Sequence, residues 1–189
     1  MLVREYFALA DNLTDRNLRF TNDLHLLFTG FKEIFKNPFS AAALTILRDY
    51  PSLKALQTAD MEKLSGIVAK AARRSLTWAT NKLEKLFDYV LIAEAIGLTS
   101  VFTETKLRIQ IQTIEAIEAG MAKIETAIRQ QIASNAFPKA VRYSIDLLDA
   151  MPGIGFISAV TLIAEIGDFS KFKSAKAFVA FFDIDPAVK

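Results

Sequence analysis

The chain contains no cysteine, one histidine, seven glycines and five prolines in 189 residues. Without cysteine there are no disulfide frameworks, thiolate metal sites or cysteine nucleophiles, and the composition suits a reducing compartment, so the cytoplasm is the expected location. The lone His25 cannot build a His-rich metal site, and among Leu24, Leu26 and Leu27 it reads as a partly buried imidazole. The scarcity of glycine and proline excludes linker or low-complexity character, and a hydrophobic share of 52% provides for a packed core. A large excess of either charge is lacking too. The 23 Lys and Arg against 21 Asp and Glu leave a net charge of +2, so any contact with nucleic acid has to be local. The apolar runs are short or interrupted: Leu86 to Phe102 holds Asp88 and Glu94, and Ile154 to Ile166 holds Glu165. Neither reads as a membrane span, and Arg4 and Glu5 argue against a signal peptide.

No long run alternates with period two, and the apolar residues recur instead at steps of three and four. The expected fold is all-α, with long amphipathic helices forming a hairpin or coiled coil, followed by a helix-hairpin-helix element. The spacing predicts one helix from Leu2 to Phe35, ended by Asn37-Pro38. Ser40 is placed to cap a helix through Arg48, and Asp60 one from Met61 to Arg74. A further helix runs from about Leu76 to Ile96, with Gly97 as a left-handed cap and Thr99 or Ser100 restarting the chain. From Thr103 to Ala133 the stripe Leu107, Ile111, Ile114, Ile117, Met121, Ile124, Ile128 and Ile132 has two open readings, a helix inside its own bundle or an intermolecular seam. The second reading implies a homodimer or higher oligomer through residues of about 76–134, since the elongated amphipathic helices would otherwise expose an apolar stripe. The organisation expected is a helical region over 1–136 and a helix-hairpin-helix region over 137–189.

Chemistry concentrates in the last fifty residues. After Leu147-Leu148 a helix stops at Met151-Pro152, Gly153-Ile154-Gly155 turns the chain, and another helix starts at once. Glycines at 153 and 155 allow left-handed angles and leave no side chain above the backbone, while Ile154 plugs the turn into the core. Exposed amides and a helix N-terminus then form a nest for a backbone phosphate of DNA or RNA, which grips without reading sequence. The alternative is a tight interhelical connector. Phe156 and Ile157 occupy the positions where a hairpin of this kind usually carries Lys or Arg, and the nearest cations are Lys139, Arg142, Lys171, Lys173 and Lys176.

Other candidates have plainer explanations. Asp146, Asp149, Glu165 and Asp168 could suggest a metal, but helix solvation and capping account for them. Ser158, Ser170 and Ser174 have no base partner legible in the sequence. Lys70, Arg73, Arg74, Lys82 and Lys85 form the one basic excess, read either as a solvated helix face or as a contact to nucleic-acid backbone. Trp78 and the fifteen Phe read as core.

The run Met151-Pro152-Gly153-Ile154-Gly155, then Ala159, Ala164-Glu165-Ile166-Gly167-Asp168-Phe169-Ser170-Lys171-Phe172-Lys173-Ser174-Ala175-Lys176 and Asp185-Pro186, resembles the C-terminal transposase domain of the insertion sequence one-ten family. These are DEDD-type transposases, also described as bridge-RNA-guided recombinases. The likeness is strong after about residue 144 and weak before it, where Leu47-Arg48-x-Tyr50-Pro51 and the Leu-rich helices look like that family's middle region. Phe182-Asp183-Ile184-Asp185-Pro186 departs from it, standing where the family has a Gly-Leu-x-Pro turn. The resemblance implies DNA transposition by cutting and rejoining strands, with a guide RNA. It also implies a nuclease half with four acidic ligands for magnesium and a serine nucleophile beyond the Asp-Pro element. Neither part stands in this sequence, so the expectation is a fragment or truncated element. It would be inactive alone, with no catalytic residue, cofactor or metal of its own, and would contact DNA through Gly153, Ile154, Gly155, Lys171, Lys173 and Lys176.

Overall fold

A computed structural model describes residues 2–28, 30–96 and 101–167. Among them the chain is all-α, with nine helices and no strand: α1 (Leu2–Leu27), α2 (Phe31–Ile34), α3 (Ala41–Asp49), α4 (Leu53–Gln57), α5 (Met61–Ala72), α6 (Leu76–Ile96), α7 (Val101–Ala133), α8 (Lys139–Asp149) and α9 (Phe156–Ile166). No helix among the described residues is long and apolar enough to cross a membrane. The residues group into two compact units, Phe7–Ala122 and Met1–Tyr6 with Lys123–Lys189. The expected cap at Gly97 and restart at Thr99 or Ser100 lie outside the described residues.

In the unit Phe7–Ala122 the core is built on phenylalanine. Phe20, Phe28 and Phe31 are fully buried, with the Phe28 and Phe31 rings edge to face at 4.9 Å and the Phe31 and Phe35 rings stacked at 5.2 Å. Such pairs add directional contact to area burial and fix the rings' orientation. Leu107, Ile111 and Ile114 of α7 join the same core.

The helix expected from Leu2 to Phe35 is two helices. Gly30 breaks it with φ +83°, and a β-carbon there would lie 2.3 Å from Cδ1 of Tyr89, so the α6 ring occupies the space beside the bend. The local caps follow the sequence: Ser40 Oγ accepts from the Ala43 amide at 3.3 Å and Asp60 Oδ1 from the Lys63 amide at 3.1 Å. Arg73 closes α5 in the left-handed region, φ 53°. The short α4 was not expected; Ser52 caps it by accepting from the Ala55 amide at 3.0 Å. Arg108 of α7 donates to the carbonyls of Arg48 and Asp49 at 2.8 and 3.2 Å, supplying partners for the end of α3. His25 is exposed, not partly buried.

Asp23 of α1 accepts from Lys106 Nζ at 2.7 Å and Gln110 Nε2 at 2.6 Å. Burial pushes its carboxyl up, but these two hydrogen bonds and the Lys106 charge outweigh it and hold the group below its ordinary value. A carboxyl lowered in the folded state contributes stability that is complete above its unfolded pKa of about 3.9 and is lost as pH falls through the folded value. In urea unfolding, the stability gap between wild type and Asp23→Asn is expected to hold at about pH 6 and to start closing below about pH 4. A gap unchanged down to about pH 3 would contradict this.

In the unit Met1–Tyr6 with Lys123–Lys189 the buried residues are Ile128 and Ile132 of α7, Ile145 of α8, and Ile157, Ala159 and Ile163 of α9. The apolar stripe of α7 is thus covered within the chain at Leu107, Ile111, Ile114, Ile128 and Ile132.

Candidate nucleic-acid interface

Ile145 is the anchor of α8, 1% exposed, and it holds that helix against α9. α8 ends with the Ala150 amide donating to the Asp146 carbonyl at 3.1 Å and the Met151 amide to the Leu148 carbonyl at 3.0 Å. The turn then closes on itself, the Ile154 amide donating to the Met151 carbonyl at 3.1 Å. The two glycines do different work. Gly153 has φ +91°, where a side chain is strained, whereas Gly155 is extended (φ −87°, ψ 164°) and serves as the N-cap of α9. The expected left-handed angle at Gly155 is therefore not found; an N-cap residue takes extended backbone, and any residue can adopt it.

No side chain caps α9. The amides of Gly153, Gly155, Phe156, Ile157 and Ser158 have no acceptor among the described residues. A β-carbon at Gly153 or Gly155 would meet nothing within 4 Å, so the backbone is open on that side. Unsatisfied N–H groups at an open helix start carry partial positive charge and suit an oxyanion. Ile154 contributes packing rather than a donor: its amide is spent in the turn and its side chain lies against the core of this unit.

Sequence reasoning left the start of α9 without a cation. The fold brings Arg129 of α7 there, its guanidinium 3.7 Å from the centroid of the Phe156 ring. Glu125 holds the same guanidinium, accepting from Nε at 2.9 Å and from Nη2 at 2.7 Å, one turn back on α7. The Glu125–Arg129 spacing was legible, but the contact with a ring 27 positions onward was not. Arg142, named among the nearest cations, is committed elsewhere: Nη2 donates to the Ser134 carbonyl at 2.8 Å. Lys171, Lys173 and Lys176 lie outside the described residues, as do Asp168, Ser170 and Ser174. Asp146, Asp149 and Glu165 are exposed, and no group of three His, Asp or Glu side chains able to hold a metal occurs among the described residues. The magnesium of the resembling family has no fitting donor set among them.

No curated protein and no solved structure matches the chain. Residues 145–189 match the family model described as Transposase IS116/IS110/IS902 family. The match opens at the buried Ile145 and takes in the whole turn and α9, and on this C-terminal part of the chain it supports a transposase family member.

Proposed function

We propose that the chain is a nucleic-acid-binding and self-associating part of a DEDD-type, bridge-RNA-guided transposase, acting in DNA transposition without catalytic residues or a cofactor of its own. The observation that carries this reading is the uncapped start of α9 after the Gly153 turn, inside the segment that matches the transposase family. In it α8, the turn and α9 act as a helix-hairpin-helix: the amides of Gly153 and of residues 155–158 take a phosphate oxygen and Arg129 adds charge beside them. Lys171, Lys173 and Lys176 extend the contact along the backbone. The guide RNA belongs to this reading, as does a cytoplasmic location. Self-association into a homodimer or higher oligomer is supported by Leu91 and Ile92 of α6 and Ile109 of α7, which are 66%, 56% and 57% exposed. The Ile114–Ile128 seam supports it less, since both residues are buried in the chain.

One observation favours a second reading, a helical protein-interaction module whose turn is only a connector. Tyr143, Leu147 and Met151 are exposed at successive four-residue steps from α8 into the turn, an apolar stripe suited to a protein partner.

Salt separates the two. Binding to duplex DNA through phosphates releases counterions, so the logarithm of the affinity is expected to fall linearly with the logarithm of salt concentration. Arg129→Gln is expected to lower that slope by about one. Titration by fluorescence anisotropy checks both. No salt-dependent binding by the folded protein would put the interaction module first.

A further inference from the structure

The unit Phe7–Ala122 carries a second candidate site, which does not rest on the hairpin. Three cations from three separate segments line one cavity of about 440 Å³: Lys36 beyond α2, Arg74 beyond α5 and Lys82 on α6. No carboxylate lines it, and neither Lys36 nor Arg74 forms an ion pair with a described residue. Lys82 is half-buried and fixed in place, its Nζ donating to the Ile34 carbonyl at 2.7 Å, which leaves an ammonium two further donors. Like charges gathered in a cleft repel one another and focus a positive potential, and an anion relieves both. Asn37 and Ser40 also line the cavity, and with their acceptors taken by the Phe39 and Ala43 amides they can still donate.

One wall is aromatic. Trp78, half-buried, lines the same cavity. Cations that take a phosphate beside an aromatic ring that takes a base are the two parts of a single-strand nucleic-acid site. The volume is in the range of about 300–1,000 Å³ that small-molecule sites occupy, enough for one nucleotide. Bases inside a duplex are stacked on each other and offer no face to such a wall, whereas an unpaired base does. We propose that this cavity binds one nucleotide unit of single-stranded nucleic acid, its phosphate on Lys36, Arg74 and Lys82 and its base on Trp78.

Trp78 is the chain's single tryptophan, so intrinsic fluorescence reports on this cavity. A short single-stranded thymidine oligonucleotide added to the full chain at low salt is expected to quench it saturably. The charge reversals Lys36→Glu and Arg74→Glu together, at exposed positions, are expected to weaken the quenching titration by about tenfold or more while circular dichroism stays unchanged. Trp78→Ala, read with a dye-labelled form of the same oligonucleotide and with circular dichroism confirming the fold, is expected to bind about tenfold more weakly. Quenching is also expected to persist in the Gly153→Ala, Gly155→Ala double variant, so the hairpin reading can fail without this one. Three results would overturn the proposal: no quenching by the oligonucleotide, unaltered affinity after the charge reversals, or, in the Gly153→Ala, Gly155→Ala double variant, quenching of Trp78 by a duplex of the same length at equal affinity. Adenosine monophosphate binding as tightly as the oligonucleotide would replace the strand with a free nucleotide, and inorganic phosphate matching it would remove the base; either result also overturns it.

Discussion

Gly30→Ala is expected to destabilise the protein by about 2–5 kcal/mol, adding roughly 1–2 for a side chain in the left-handed region to roughly 1–3 for overpacking. The position has φ +83°, and the new β-carbon would come within 2.3–2.5 Å of three ring atoms of Tyr89. That ring cannot swing aside at no cost, because its hydroxyl donates to the Glu33 carboxylate. The effect spreads beyond the bend, since Phe28 and Phe31 flank Gly30 and are both fully buried. Chemical denaturation of wild type, Gly30→Ala, Tyr89→Ala and the double variant measures the two parts separately. In the Tyr89→Ala background the glycine substitution is expected to cost only the backbone part, about 1–2 kcal/mol. Equal costs in both backgrounds would show that the ring does not set the bend.

The same glycine shows where sequence reading stops. The apolar spacing from Leu2 to Phe35 is continuous, and nothing local says that the ring of a residue 59 positions onward sits against Gly30. Caps are different, because Ser40 and Asp60 act on amides three residues away and their effect is written beside them. α4 is not legible in the sequence because five residues hold too little periodicity to register, although Ser52 stands in cap position. The stripe of α7 was legible as a stripe but not in its partners, which are cores formed by distant residues. At the hairpin the turn and the positive φ of Gly153 follow from Pro152 and Gly153, while the cation beside it depends on α7 lying against α9. Likewise Arg74 and Lys82 read along the chain as part of a basic excess and Trp78 as core, and only folding adds Lys36 and makes a cavity of them.

If the backbone from Gly153 to Ser158 holds a phosphate, the double substitution Gly153→Ala, Gly155→Ala weakens that hold. At Gly153 the β-carbon opposes φ +91°; at Gly155 the backbone tolerates alanine, but the added methyl enters the open space beside the uncapped amides. Hydrogen bonds to a charged acceptor are worth about 1.5–3 kcal/mol each, so removing even one lowers affinity by about tenfold or more. Neutralising Lys171 and Lys173, by contrast, should flatten the salt dependence by about one unit for each phosphate that no longer meets a cation. The measurement is the affinity of wild type and double-Ala variant for the same duplex DNA at low salt, with circular dichroism confirming that both are folded. The variant is expected to bind at least about tenfold more weakly, with a nearly unchanged salt slope. Equal affinities would make Pro152 to Gly155 a structural turn and leave the exposed face of Tyr143, Leu147 and Met151 as the working surface of α8.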